Sequence, residues 1–470
     1  MDRNKAIGGV FMKKGVQSIF PVLLAGLLAV PLIAPAFAQD KGAAPVKYKI
    51  TNPYAKVEFG KWNAYKAQLH THTTASDGED TMREAVEAYY DAGYDCLAIT
   101  DHGVVDRGWV KPNYRPVINF LGGTEWMRGV YHAGKLEGLS EVRLQEIADG
   151  KGRGGRGMIR VPFGIEQNPD GIPNMHVNSW FADWGNAFPG GAFDYAAAVR
   201  NIDRKGGLCV INHPILPMYD RALPVFAGEN GRQRYIWKVQ RLLEKYPALI
   251  GIDIAQDCSW LWDVLLQNVA PSSRNVFAVR TTDAHDRTDI ATGGWVWALM
   301  PENTADHLKR CLANGAFFAA DTYAANPDTI AAMRELGMEI HENAWGGEFM
   351  AAPGAAGPMI TDITAGNDVI TITAKGSKGV LWVSDGEIIA KGGKLSLASV
   401  SKDLGAYVRA VICGDGGVLY TQPFLLSYEG MPAGNPIPNY FVDFGSALGH
   451  LRLLLYPFSW LLDQLWLAIR

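Results

Sequence analysis

The chain has 470 residues, 48% of them hydrophobic, and a net charge of −4 at pH 7. That is enough apolar material for a large core and more than one domain, and the slight acidic excess argues against a nucleic-acid-coating protein. The five cysteines, Cys96, Cys209, Cys258, Cys311 and Cys413, are scattered and odd in number, which is no disulfide framework.

Residues 1–38 read as a signal peptide. Lys13 and Lys14 precede an apolar run from Ile19 to Ala38, which ends Ala36-Phe37-Ala38 before Gln39, the small-x-small pattern of a cleavage site. The mature chain is expected to be exported, periplasmic or secreted, with 39–64 as a lead-in segment. A retained membrane anchor is the competing reading.

From Tyr65 to about Ala320 strands and helices alternate. Tyr65–Thr71 reads as a strand, the stretch from Asp80 to Gly93 as a helix with acids in its first turn and a glycine exit, and the segment DCLAIT as a short buried strand. A helix ending in Gly206-Gly207 leads into the strand LCVIN. Ala248–Ala255 is a strand followed by a helix, and the same order recurs for NVFAVRT and NTADHLKRCLANG. Repeated βα units predict a parallel sheet or barrel, with ligand-binding residues at the C-terminal ends of the strands. The insertion Gly103–Pro162 contains GKGRGGRG (Gly150–Gly157), a basic glycine-rich loop without P-loop spacing, expected to be a solvated loop or a mobile cover for an anionic substrate.

After Asn326 apolar and polar residues alternate between Gly, Asp and Asn turns, which predicts an antiparallel β-rich domain over 326–430. No chemistry is legible in it, and scaffold or lid support is expected. An apolar tail follows over 431–470. Its part 444–470 is rich in Leu, Trp and Tyr, but Arg452, Pro457 and Asp463 interrupt it. It suits a peripheral membrane contact better than a span, with packing onto the domain or a partner copy as the alternative.

The candidate chemistry is a set of nine residues: His70, His72, Asp77, His102, Glu166, His176, His213, Asp283 and His285. In a strand, side chains at i and i+2 face one way, so His70 and His72 share a side. His102, His213, Asp283 and His285 also follow predicted strands. Any one of them has a structural explanation. As a set, mixed imidazole and carboxylate donors point to zinc, manganese or iron, and they are too many for one tetrahedral ion. Two or three ions sharing a bridging carboxylate is the economical count.

The segments LHTHTTASDG (Leu69–Gly78), AITDHG (Ala98–Gly103), FGIEQN (Phe163–Asn168) with MHVN (Met175–Asn178), INHP (Ile211–Pro214) and TTDAH (Thr281–His285) resemble the PHP family, named for polymerase and histidinol phosphatase. The resemblance covers most of 65–325. It implies an α/β fold, a distorted (β/α)7 barrel followed by the C-terminal antiparallel β-rich domain, with a three-metal cluster at the strand ends. It also implies that His70, His72, Glu166 and Asp283 hold the first ion. Glu166 would bridge to a second ion held by His176 and His213, and Asp77, His102 and His285 would hold a third. Asp77 stands where many members have histidine. More loosely, the region after the cluster resembles exported PHP hydrolases with a C-terminal β domain.

The expected activity is hydrolysis of a small-molecule phosphate ester by metal-activated water. Asp101, beside His102, is expected to orient an imidazole, and Arg287, Arg128 or Arg160 to bind phosphate. Trp109, Trp126 and Tyr131 are candidates for an apolar wall. An ester, carbamate or amide hydrolase on the same ligands is the alternative, followed by a non-catalytic metal-binding module. The export signal and the lack of polymerase modules argue against a proofreading nuclease, and Thr-Asp-His with Asn-His-Pro fits PHP better than an amidohydrolase barrel.

Overall fold

The computed structural model describes residues 46–112, 136–167, 175–185, 195–215, 228–255, 258–291, 293–324, 326–340, 349–350 and 354–441. The expected signal segment, Trp126, Arg128, Tyr131 and the apolar stretch 444–470 lie outside them.

The chain enters through β1 (Lys49–Thr51) and β2 (Asn63–Gln68). Helix α1 (Met82–Asp91) starts at Thr81 because Thr81 and Glu84 cap each other's backbone N–H groups, and it buries Met82, Ala85, Val86, Tyr89 and Tyr90 on one face. Strand β3 (Cys96–Leu97) pairs parallel with β2. Helix α2 (Glu141–Ala148), capped by Ser140, lies within the insertion where no helix was anticipated. Strand β4 (Ile159–Arg160) then pairs parallel with β3.

A second sheet runs in the order β5 (Ile165–Gln167), β6 (Val177–Trp180), β7 (Leu208–Ile211), β8 (Leu249–Asp253) and β9 (Phe277–Val279). Its first three strands are antiparallel and its last three parallel. Helices α3 (Ala196–Arg204), α4 (Gly228–Lys245) and α5 (Ser259–Val269) connect β6 through β9. Their apolar faces, including Val199, Ile202, Tyr235, Val239, Leu261 and Leu265, pack into the main core.

Strands β10 (Trp295–Met300) and β11 (Phe317–Asp321) flank helix α6 (Ala305–Asn314), and β10 pairs antiparallel with both β2 and β11. A short ladder of β12 (Tyr323–Ala324) and β13 (Phe349–Met350) brackets α7 (Pro327–Glu335). The remaining strands are β14 (Met359–Gly366), β15 (Val369–Lys375), β16 (Gly379–Ser384), β17 (Glu387–Lys391), β18 (Lys394–Ser396), β19 (Tyr407–Gly414), β20 (Gly417–Thr421) and β21 (Phe424–Ser427). All of their pairings are antiparallel. Strand β20 pairs with β11, so these late strands extend the same 11-stranded sheet that holds β2, while β14, β15 and β18 form their own sheet.

The fold is mixed α/β. The strands of 65–325 do not close into a continuous hydrogen-bonded cylinder among the described residues. The reason lies in their lengths and edges. Strands β3, β4 and β5 are two or three residues long, too short for sustained ladders, and the second edge of β2 is occupied by antiparallel β10. Two isolated parallel bridges, Thr71 with Ala284 and His102 with Glu166, join the two sheets instead. All five cysteines are buried and unbridged. Among the described residues no helix is long and apolar enough to cross a membrane.

Candidate metal centre

Strand β2 ends at Gln68, short of the expected Thr71, yet the extended chain continues and is held from both sides. Thr71 bridges Ala284, the His72 amide donates to the Ala284 carbonyl at 2.8 Å, and the Thr71 amide donates to Thr100 Oγ1 at 3.0 Å. Gln68 adds a clamp that sequence reasoning missed. Its Oε1 accepts from the amides of Leu69 (3.0 Å) and His70 (3.2 Å), and its Nε2 donates to Thr282 Oγ1 at 2.6 Å. The loop carrying Asp77 folds back so closely that a Cβ on Gly78 would lie 2.6 Å from the backbone of His72, so only glycine fits. On the other side, the Gly103 amide donates to the Glu166 carbonyl at 2.9 Å, fixing His102 beside Glu166.

These ties bring all nine candidates together around Glu166, which is 1% exposed. Its Oε2 lies 3.3 Å from His70 Nε2, 3.2 Å from His72 Nε2 and 3.0 Å from His102 Nδ1. Its Oε1 lies 3.0 Å from His176 Nδ1 and 3.2 Å from His213 Nε2. Asp283 Oδ1 is 3.1 Å from both His70 Nε2 and His72 Nε2, which are themselves 3.0 Å apart. Asp77 reaches His72 Nδ1 (3.3 Å), His102 Nε2 (3.3 Å) and His285 Nε2 (3.5 Å).

Three donor groups emerge: His70, His72, Glu166 and Asp283; His72, Asp77, His102 and His285; and His102, Glu166 and His176. In each, one donor atom per residue lies within 4.8 Å of all the others. The grouping differs from the one the resemblance implies. His72 and His102 each belong to two groups, because their rings present a nitrogen to either side. His213 contacts Glu166 and His176 but completes no group.

The donor set fits divalent ions. Ligands ~2.0–2.1 Å from a common ion stand ~3.0–3.4 Å from one another in tetrahedral or octahedral shells, the spacing seen here. Glu166 Oε2 is a buried acceptor left without a hydrogen-bond partner although three imidazole nitrogens lie within 3.3 Å, a need that a cation would meet.

The electrostatics agree. Burial pushes the Glu166, Asp283 and Asp77 carboxyls up, but the facing imidazoles outweigh it and hold all three well below the usual range. Burial likewise pulls His102 down, while Asp77 and Glu166 hold it up at about 9. His176 shows the opposite balance: burial wins over Glu166, and its value falls to about 4. The carboxylates call for positive charge, which protons on the imidazoles supply in competition with a metal.

Two residues carry backbone strain at the site. His213 has φ +26° and Asp283 φ +56°, in the left-handed region that costs about 1–3 kcal/mol for such residues. Asn212 supports Glu166 directly, its Nδ2 donating to Oε1 at 2.8 Å. The motif Asn-His-Pro held this signal, since an amide beside a ligand is a natural orienting group.

The structure gives partners for both residues expected to act in catalysis. Among the described residues Asp101 is bonded to backbone and hydroxyl groups. It accepts from the Thr73 amide and from the hydroxyls of Thr73 and Ser76, each at 2.7 Å, and reaches His72 only through Ser76, whose Oγ is 3.3 Å from His72 Nδ1. It holds the loop and, through Ser76, faces the His72 ring, so the contact is indirect and with His72 rather than His102. Arg287 is engaged by Asp80 and by Glu84, so its guanidinium is committed to two carboxylates. Arg160 donates to the Asp106 carbonyl at 3.0 Å, and Trp109 is a core side chain.

The Gly-rich basic loop is neither loose nor near the donors. Arg153 and Arg156 both bind Asp95, at 3.0 and 2.6 Å, at the start of β3 and thus at the end opposite His102. Arg153 also lies over the Tyr90 ring at 4.7 Å.

No family model and no curated protein matches the chain. Among solved structures, the chain is similar to a two-domain protein from Bacteroides vulgatus ATCC 8482 that contains a predicted PHP-like metal-dependent phosphoesterase. The identity is 12% and the TM-score 0.37, over 78% of this chain and 89% of that one.

Proposed function

We propose that the chain is an exported metal-dependent hydrolase of the PHP type acting on a small phosphate ester. In this reading the two bridged sheets are a distorted (β/α)7 barrel, with 65–325 the metal-bearing domain and 326–430 its β-rich companion. One observation carries the proposal: buried Glu166 faces five imidazoles, and four of them, His70, His72, His102 and His176, belong with it to overlapping, ion-sized donor groups. A purely structural carboxylate needs one or two partners.

Two or three divalent ions, zinc, manganese or iron, suit this mixture of donors, and when bound they activate water and neutralise charge developing on the substrate oxygens. The chain's own residues supply the rest. Glu166, Asp283 and Asp77 set the anionic charge of the site. Asn212 fixes one oxygen of Glu166, Gln68 fixes the backbone of His70, and Asp101 holds Ser76 against His72. Each restraint lowers the reorganisation needed when substrate binds.

The commitment of Arg287 to Asp80 and Glu84, and of Arg160 to Asp106, favours a second reading, an ester or carbamate hydrolase on the same ligands. Phosphate recognition normally recruits such cations.

The test is turnover of the metal-loaded chain on p-nitrophenyl phosphate, the bis-phosphate diester and the acetate, with Asp283→Ala as blank. Phosphoester cleavage lost in the variant is the expected result. Acetate cleavage alone, lost in the variant, moves the assignment to the second reading. Absence of variant-sensitive turnover on all three removes the general phosphoesterase assignment.

A further inference from the structure

The last described residues lie against α4, remote in sequence from every donor. The Trp237 ring meets Tyr440 edge-on at 6.2 Å and Phe441 at 5.5 Å. Arg241 lies over the Phe441 ring at 4.7 Å, and its Nη2 donates to the Phe441 carbonyl at 3.3 Å. Tyr440 is 78% exposed, an unusual position for a large aromatic ring.

Helix α4 is two-sided. Tyr235, Ile236, Val239, Leu242 and Leu243 are buried in the main core. Arg234, Trp237, Arg241 and Lys245 follow at i, i+3, i+7 and i+11 and so form one stripe on the other side, with Arg234 and Lys245 exposed. Glu244, which accepts from Gln240 Nε2, is the acidic neighbour of this stripe.

The chain leaves the described fold from this stripe. Residues 442–470 are dominated by Leu, Phe and Trp, and their charged side chains are Asp443, Arg452, Asp463 and Arg470. Pro457 and these charges break the run well short of a bilayer span. Exposed aromatic rings flanked by basic side chains suit the boundary where one end is apolar and the other wet, and long basic side chains reach from there to anionic headgroups. A second copy of the chain would have to bury the same like-charged stripe against itself, which the repulsion between arginines opposes.

We propose that the Arg234–Trp237–Arg241–Lys245 stripe of α4, with Tyr440 and Phe441, is a docking surface for an anionic lipid bilayer. This is independent of the hydrolase assignment.

The test is co-sedimentation of the full-length mature chain with vesicles of phosphatidylcholine alone and of phosphatidylcholine mixed with phosphatidylglycerol, alongside the variants Arg234→Glu/Lys245→Glu and Tyr440→Ala. All three proteins are first matched for thermal melting and far-ultraviolet circular dichroism, which these surface changes should leave in place. The expected result is stronger partition onto phosphatidylglycerol vesicles, a loss of at least about tenfold in the charge-reversed variant, and a smaller loss on both vesicle types for Tyr440→Ala. Three results overturn the proposal: no vesicle binding, binding that the charge reversal leaves unchanged, or a concentration-dependent dimer that the reversal dissociates.

Discussion

Around Glu166, three carboxylates and six imidazoles crowd together within contact distance, and their charges balance only when protons or a cation are added. Where α5 meets β19, by contrast, one carboxylate meets one guanidinium. Asp263 accepts from Arg409 Nε and Nη2 at 2.7 and 2.6 Å and from the Tyr407 hydroxyl at 2.7 Å, and Arg409 lies over the Trp262 ring at 4.7 Å. Both sites are buried. In the second the chain itself satisfies the carboxylate, leaving only Arg409 Nη1 of the pair without a hydrogen-bond partner among the described residues, and the pair holds a helix to the β-rich region. The first is built from too many donors of one kind, with strained backbone at His213 and Asp283. The comparison teaches that burial of charge alone does not mark a functional site; an internal surplus of ligand atoms does.

The largest effect is expected at the Asp263–Arg409 site. Arg409→Ala leaves Asp263 buried with only a hydroxyl, which should cost about 3–5 kcal/mol in urea unfolding. Replacing both partners, Asp263→Leu with Arg409→Met, should recover most of that loss. If the single variant is near neutral, the contrast between the two sites fails.

A smaller, pH-dependent effect is expected at Asp106, in the loop after His102. Burial raises its carboxyl to about 6 although Arg160 opposes the rise. The folded state then binds a proton more tightly than the unfolded chain. Its contribution to stability is fully present below pH 4 and is lost as pH rises through about 6. Wild-type stability should therefore fall relative to Asp106→Asn by up to about 3 kcal/mol across that window. Parallel curves from urea midpoints at stepped pH would remove this source of pH dependence.

The smallest effect is expected from Asn212→Ala, which leaves every donor in place and removes only the restraint on Glu166. Zinc affinity by competitive chelator titration should fall about 10–100-fold, about 1.4–2.7 kcal/mol, with melting of the metal-free chain little changed. An unchanged affinity would show that Glu166 is positioned without its amide partner.

Much of the centre was legible because its residues sit in local signals. His-x-His after an apolar run, Asp-His after DCLAIT and Asp-Ala-His after NVFAVRT each put donors just beyond a strand, and a strand end fixes direction and place at once. Helix α1 was legible for a similar reason, since its capping box is local. The partners of Asp101 and Arg287 were not legible because they come from facing segments: Thr73 and Ser76 from the preceding βα loop, and Asp80 and Glu84 from the turn into α1 and its first turn. Gln68 gave no signal, since a glutamine inside a strand reads as a surface residue until its amide is seen between Leu69, His70 and Thr282.

By itself the sequence determined the donor inventory, the local order of α1 before β3, α3 before β7 and β8–α5–β9, and the alternating pattern of the late strands, because each depends on side-chain type and short-range periodicity. Only the tertiary structure decided that β10 and β11 turn antiparallel and carry the late strands into the same sheet as β2. Only it decided that His72 and His102 serve two donor groups each and that His213 completes none. Those outcomes depend on contacts between segments far apart in the chain, where the free energy of pairing is set by neighbours that no local pattern specifies.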